Sequence, residues 1–97
     1  MITKIQKKFL RSLAHDRKTI IWVGQQGLSD NVLQEIDAAL DHHELIKVKL
    51  RTGGRDLRDT LIKTICEQTR AEPVQTIGNV LTVYRKNSKT PVIKLPR

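Results

Sequence analysis

Apolar positions in this chain recur with two different periods, and the switches between them divide it into seven elements. Over residues 4–14, Ile5, Phe9 and Leu13 return every four residues and predict a helix with that stripe buried. Thr3 stands at its N-cap and Gln6 three residues on, the spacing of a capping box. Thr19-Ile20-Ile21-Trp22-Val23 reads as a strand. A second helix is predicted over residues 30–42, with Ser29 as N-cap and Leu28 and Leu33 placed as a hydrophobic staple. Its apolar face holds Val32, Leu33, Ile36, Ala39 and Leu40. Residues 45–51 alternate cleanly, with Ile46, Val48 and Leu50 on one side and Lys47, Lys49 and Arg51 on the other, which is the period of a half-buried strand. Gly53-Gly54 breaks it, and Leu57, Leu61, Ile62 and Ile65 predict a third helix over residues 55–69, stopped by Pro73. Residues 74–77 and 80–84 are then two strands joined by Gly78-Asn79, with glycine first as a type II′ turn requires. In the tail, residues 87–91 read as loop and Val92-Ile93-Lys94-Leu95 as an extended edge.

The predicted order is α-β-α-β-α-β-β. Helices linking successive strands imply right-handed crossovers, and the closing hairpin adds an antiparallel pair. The expected fold is a single α/β domain, a four-stranded mixed sheet packed against helices. Ninety-seven residues suit one such domain and no more, and no internal repeat or second-domain boundary occurs.

Composition narrows the class of partner. Eighteen Lys and Arg against ten Asp and Glu give a formal net charge of +8 and a sequence pI near 10.1, which points to a polyanion. Phe9, Trp22 and Tyr84 are the only aromatics, so contact with a nucleic-acid backbone is expected over extensive base stacking, although one well-placed ring can suffice. Cys66 is alone, which excludes an intramolecular disulfide or a Cys-based zinc site; on an apolar helix face it reads as a buried thiol. No stretch has the apolar core of a signal peptide or the length of a membrane span, and a cytoplasmic protein is expected.

The candidate chemistry centres on Gly24-Gln25-Gln26-Gly27, between the first strand and the second helix. Glycines allow a sharp bend and close backbone approach, and a helix N-terminus offers free N–H groups to a phosphate. The alternative is a tight turn with no ligand. Gln25 and Gln26 carry no charge, so their grip would come from amide and main-chain hydrogen bonds. Lys47, Lys49 and Arg51 project together from one strand, with Arg55 and Arg58 nearby; they are either a solvated face or cations whose mutual repulsion a bound polyanion relieves. Lys7, Lys8, Arg11, Arg17 and Lys18 extend this basic belt, while Asp30, Glu35, Asp37 and Asp41 turn the body of the second helix away from nucleic acid. His42-His43-Glu44 lacks metal-site spacing and suits a helix C-terminus instead, and His15 beside Asp16 has no nucleophile or second base at a recognisable spacing. No metal, cofactor, membrane or small-molecule substrate is expected.

Four ordered blocks make the reading specific: Leu13-Ala14-His15, then Val23 through Leu28, then His42-His43-Glu44-Leu45-Ile46-Lys47-Val48-Lys49, then Ile77-Gly78 with Leu81-Thr82-Val83-Tyr84-Arg85. With the closing Leu95-Pro96-Arg97, the chain resembles the CRM domain, and most closely its stand-alone bacterial YhbY-type members. The resemblance implies a fold similar to the C-terminal domain of translation initiation factor three, and RNA binding through a GxxG loop at Gly24 to Gly27 and a basic surface including Lys47, Lys49 and Arg85. Many members carry Lys or Asn inside the loop, where this chain has Gln25-Gln26. Stand-alone members associate with precursors of the large ribosomal subunit, and plant relatives act in organellar intron splicing. A non-catalytic, RNA-binding factor in large-subunit assembly is therefore expected. The alternatives are a general nucleic-acid coating protein of the Alba-like kind and a small ribonuclease using His15 or His42.

Overall fold

The computed structural model describes residues 2–24, 27–51 and 54–97. Its elements are α1 (Lys4–His15), β1 (Thr19–Val23), α2 (Asp30–His43), β2 (Leu45–Leu50), α3 (Arg55–Thr69), β3 (Glu72–Ile77) and β4 (Val80–Tyr84). The sheet runs β1-β2-β4-β3, with β1 and β2 parallel and the remaining pairs antiparallel. The mixed sheet follows directly from the connections: α2 carries the chain from β1 to a parallel neighbour, whereas a two-residue turn can only produce an antiparallel one.

Helices cover the two sheet faces unequally. α2 and α3 bury Ile36, Leu40, Leu61 and Ile65 against Ile21, Val23, Ile46, Val48, Leu50, Leu81 and Val83, and this is the main core. On the opposite face α1 and the tail cover one half, where Leu10 and Ala14 meet Leu45, Val74 and Tyr84, with Ile93 and Leu95 packed alongside.

Local chemistry accounts for most element ends. The Thr3 hydroxyl accepts from the Gln6 N–H at 3.1 Å while the Gln6 side-chain Oε1 accepts from the Thr3 N–H at 3.0 Å, completing the capping box. Ser29 accepts from the Val32 N–H at 3.2 Å and caps α2. Gly78 sits at φ 57° and Asn79 has no positive φ, the arrangement of a type II′ turn.

Four expectations are corrected. The α1 stripe is rotated: Leu10 and Ala14 are buried, Leu13 is half-buried against them and Ile5 is 65% exposed, so the helix docks on the Leu10–Ala14–Leu13 side, where Gln6 also donates to the Pro96 carbonyl at 3.0 Å. Leu57, expected in the α3 core, is 51% exposed in the first turn; Leu61 and Ile65, further along, are the α3 side chains that reach the sheet. Pro73 does not stop α3. Arg70 ends it in the left-handed region at φ 59°, and the N–H groups of Arg70 and Ala71 both return to the Cys66 carbonyl. Pro73 lies inside β3, an edge strand, where a missing N–H breaks no inner ladder.

The tail is the fourth. Residues 92–95 add no strand to the sheet; the N–H groups of Val92 and Ile93 go to a carboxylate instead. Glu44 caps α2 at φ 64° and is fully buried. One of its oxygens accepts from Val92 at 2.8 Å and Ile93 at 2.6 Å, the other from Asn87 at 2.6 Å. Charge-assisted bonds of this kind satisfy a carboxylate that would otherwise be costly to bury.

Candidate functional site

Because β1 and β2 are parallel neighbours, the chain leaves both at the same edge of the sheet, and α2 and α3 both begin there. The Arg51 N–H donates to the Val23 carbonyl at 2.9 Å, which holds the two exits together. The β3–β4 turn reaches the same edge, since the Leu50 N–H donates to the Asn79 carbonyl at 2.7 Å. This edge gathers Gly24, Gly27, Arg51, Arg55 and Arg58.

Gly24 and Gly27 close their loop through a Gly27 N–H bond to the Gly24 carbonyl at 3.0 Å, with Gly27 at φ 81°. A Cβ on either glycine would meet nothing within 4 Å among the described residues beyond its chain neighbours. What the loop requires of Gly27 is the left-handed backbone, which a side chain adopts at a cost. Gln25 and Gln26 lie outside the described residues, as does Gly53.

Arg51 and Arg55 are exposed, whereas Arg58 is tethered, donating to the Gly78 carbonyl at 2.9 Å and lying 3.6 Å from Asp59. Asp30 and Asp56 occupy the first turns of α2 and α3, where carboxylates complement the helix dipoles.

Strand register sets what the second sheet face presents. One row across it runs Trp22, Lys49, Val80, Ile77, and the next runs Thr19, Lys47, Thr82, Gln75. The third row, Leu45, Tyr84 and Glu72, begins the half under α1. Between Thr19 and Ile21 the ladder shifts by one residue, which brings Thr19 and Trp22 onto the same face. These two rows carry two lysines and no acid; Trp22, Lys49 and Ile77 of the first are exposed, whereas in the second Thr82 is buried and Thr19, Lys47 and Gln75 are half-buried. Lys49 is exposed, and Lys47 lines a depression of about 220 Å³ with Arg17, Thr19, Gln75, Ile77, Val80 and Thr82.

The basic belt is not one continuous cluster. Lys8 and Arg11 are exposed and Lys7 half-buried on α1, which rests over the Leu45 end of β2. Leu45 and Leu50 are five residues apart, so α1 and the glycine loop sit at opposite ends of a strand spanning roughly 17 Å. Lys18 is exposed just before β1, while Arg17 is held inward by donating to the Leu45 carbonyl at 2.7 Å.

Arg85 stands apart from all of these. Its guanidinium donates to the Thr69 carbonyl at 2.7 Å and the Asp37 carbonyl at 2.9 Å, and it ion-pairs with the carboxylates of Asp37 and Asp41. Those two acids, read from sequence as part of the α2 side turned away from nucleic acid, form its socket. The structure thus places Arg85 with α2 and α3, away from Lys47 and Lys49.

Among the described residues no three His, Cys, Asp or Glu side chains gather as a metal site, and no helix is long and apolar enough to cross a membrane. His42 and His43 are exposed and touch edge to face, with ring centroids 4.7 Å apart. Cys66 is half-buried, and burial, with the Glu72 carboxylate as a smaller cause, pushes its thiol up from 9.0 to about 11. So weakly acidic a thiol is a poor nucleophile near neutrality.

Sequence reasoning passed over two residues. Trp22 is 55% exposed beside Lys49, although its alternation with buried Ile21 and Val23 already put it on the opposite face. Glu44 carried no comparable signal, since its partners lie more than forty residues away.

Comparison with known proteins places this geometry in a family. The model of the CRS1/YhbY (CRM) domain matches residues 2–85. A Haemophilus influenzae protein named "RNA-binding protein" is 45% identical, covering 95% of this chain and 92% of its own. The Bacillus subtilis "Probable RNA-binding protein YqeI" is 36% identical over 99% of this chain and all of its own. The solution structure of a hypothetical protein from Staphylococcus aureus, 40% identical, matches with a TM-score of 0.84 over 99% of this chain and all of the other.

Proposed function

The chain belongs to the CRS1/YhbY (CRM) domain family, and we propose that it is a non-catalytic RNA-binding protein that associates with precursors of the large ribosomal subunit in the cytoplasm and assists their assembly. The observation that carries the binding reading is the shared sheet edge, where Gly24, Gly27, the start of α2, and Arg51 lie together beside the exposed Lys49 and the half-buried Lys47. An RNA backbone following Lys47, Lys49 and Arg51 arrives at the glycine loop. There the open backbone and the positive end of the α2 dipole suit a phosphate. Arg55, Lys18 and the α1 cations Lys7, Lys8 and Arg11 extend the positive field, and Gln25 and Gln26 supply amides within the loop.

Arg85 is left out of this surface because its guanidinium is engaged by Asp37, Asp41 and Thr69. The relatives' names support the RNA reading, and the ribosomal target rests on the family resemblance of the four sequence blocks. The weakly acidic Cys66 thiol supports the non-catalytic reading.

The test is sedimentation of cell extract through a gradient, with detection of this protein in each fraction. Co-migration with large-subunit precursors, released by raised salt, is expected. Confinement to the ribosome-free top fractions, at low salt and low magnesium as well, would overturn the ribosomal assignment. In a competition assay at fixed salt, structured ribosomal RNA should compete better than duplex DNA; equal competition would favour a general coating protein.

A further inference from the structure

Trp22 poses a question that backbone binding does not answer. It is the chain's only tryptophan and lies 55% exposed on a strand whose neighbouring residues Ile21 and Val23 are buried. A large apolar ring left in water forgoes the stabilisation that burial would bring. Its surroundings are not those of a random surface residue. Lys49 lies directly across the β1–β2 ladder, Val80 comes next and is half-buried, and Ile77 follows at 66% exposure. The row therefore alternates a π surface, a cation and an apolar floor, and the adjoining row adds Lys47 and the half-buried Gln75 amide.

We propose that this uncovered half of the sheet is a platform for an unpaired nucleotide, with its base stacked on the Trp22 indole and the flanking phosphates on Lys49 and Lys47. The inference rests on the RNA-binding reading and specifies its ligand: RNA containing a loop, bulge or single-stranded end. A base inside a duplex has both faces covered by its neighbours and cannot lie flat on an exposed ring, whereas a splayed base can. Trp22 is two residues before Gly24, so the strand leaving the platform has the glycine loop within reach.

Charge decides among occupants. A second copy packed face to face would bring Lys47 and Lys49 against their equivalents, and like charges across an interface are repelled. A protein partner would need an acidic patch matched to a narrow apolar strip interrupted by Lys49. RNA supplies phosphate and an aromatic face in every residue.

Because Trp22 is the sole tryptophan, its fluorescence reports on this site alone. Two RNAs of equal length are titrated, one a hairpin with an unpaired loop and the other a blunt duplex. The hairpin should quench Trp22 and the duplex should not. Trp22→Ala should weaken hairpin binding by roughly 5- to 100-fold with the salt dependence of binding unchanged. Trp22→Phe should recover much of that loss, and Trp22→Leu should not. Each variant is first checked for an unchanged circular dichroism spectrum.

Hairpin binding by the wild type with undiminished affinity in Trp22→Ala would overturn the platform while leaving RNA binding intact. Equal recovery by Trp22→Leu and Trp22→Phe would do the same, by showing generic apolar contact. Absence of binding to any RNA by the wild type would remove the RNA-binding reading and this one with it. Self-association abolished by Trp22→Ala would assign the face to a second copy and end the proposal.

Discussion

Replacing Lys47, Lys49 and Arg51 together by alanine separates an RNA-contacting surface from a merely solvated one. Lys47 and Lys49 project from the sheet face opposite the main core, and Arg51 is exposed just past the strand end. The fold should therefore survive. Lys47 and Lys49 are two residues apart, about 7 Å along a strand, so their mutual repulsion in water is roughly 0.6 kcal/mol. Relief of that repulsion offsets part of the strand propensity lost to alanine, a scale that spans about 1 kcal/mol. The net change in stability should stay within about 1 kcal/mol. The binding effect is larger. Each phosphate neutralised on a single strand contributes roughly −0.7 to the slope of log affinity against log salt, so three lost contacts flatten it by about two units. If wild type and variant converge near 1 M salt, affinity at 0.1 M falls about 100-fold, or about 3 kcal/mol. Fluorescence anisotropy of labelled RNA over a salt series measures both quantities. A slope unchanged from wild type would refute the account of these side chains as backbone contacts.

Gly27→Ala should cost on the order of 1 kcal/mol of stability, because alanine at φ 81° is strained, while the folded protein binds RNA as before. Gly27→Asp should also lose affinity, since a carboxylate about 4 Å from phosphate is repelled by roughly 1–4 kcal/mol; full affinity in the folded variant would remove the phosphate contact from the loop. Arg85→Ala should lower stability by about 1–3 kcal/mol through loss of its Thr69, Asp37 and Asp41 bonds, with the RNA salt slope unchanged; a flattened slope would return Arg85 to the binding surface. Glu44→Gln keeps the side-chain volume but has one carbonyl oxygen where three N–H groups need two acceptors, so a loss of about 1.5–3 kcal/mol and faster hydrogen exchange at Asn87, Val92 and Ile93 are expected. Unchanged exchange at those three amides would show that the carboxylate does not hold the tail.

The alternation of residues 46–51 revealed β2 and the face of its cations, and Gly78-Asn79 marked the hairpin, because both signals are local. The direction of the α1 stripe was not legible. Ile5, Phe9 and Leu13 fit a helical period as well as Leu10 and Ala14 do, and the choice between them depends on contacts with Leu45, Val74, Tyr84 and the tail, which are distant in sequence. The tail was misread for a similar reason. Val92 and Ile93 have strand-forming side chains, yet a distant buried carboxylate claims their N–H groups. At the candidate site the order of residues disclosed the glycine loop and the lysines. Three-dimensional placement then separated Arg85, whose acids come from another element, from Trp22, whose neighbours depend on strand order and register. Composition counted three aromatics and could not say which of them faced solvent.

Whether RNA lies across the open half of the sheet and enters the glycine loop can be read from ultraviolet crosslinking in cells, with both the peptide and the nucleotide at each crosslink identified. Crosslinks should fall within residues 22–27 and 47–51 and join them to unpaired nucleotides of large-subunit ribosomal RNA. Crosslinks concentrated on the exposed faces of α2 and α3, with residues 22–27 and 47–51 untouched, would contradict that placement.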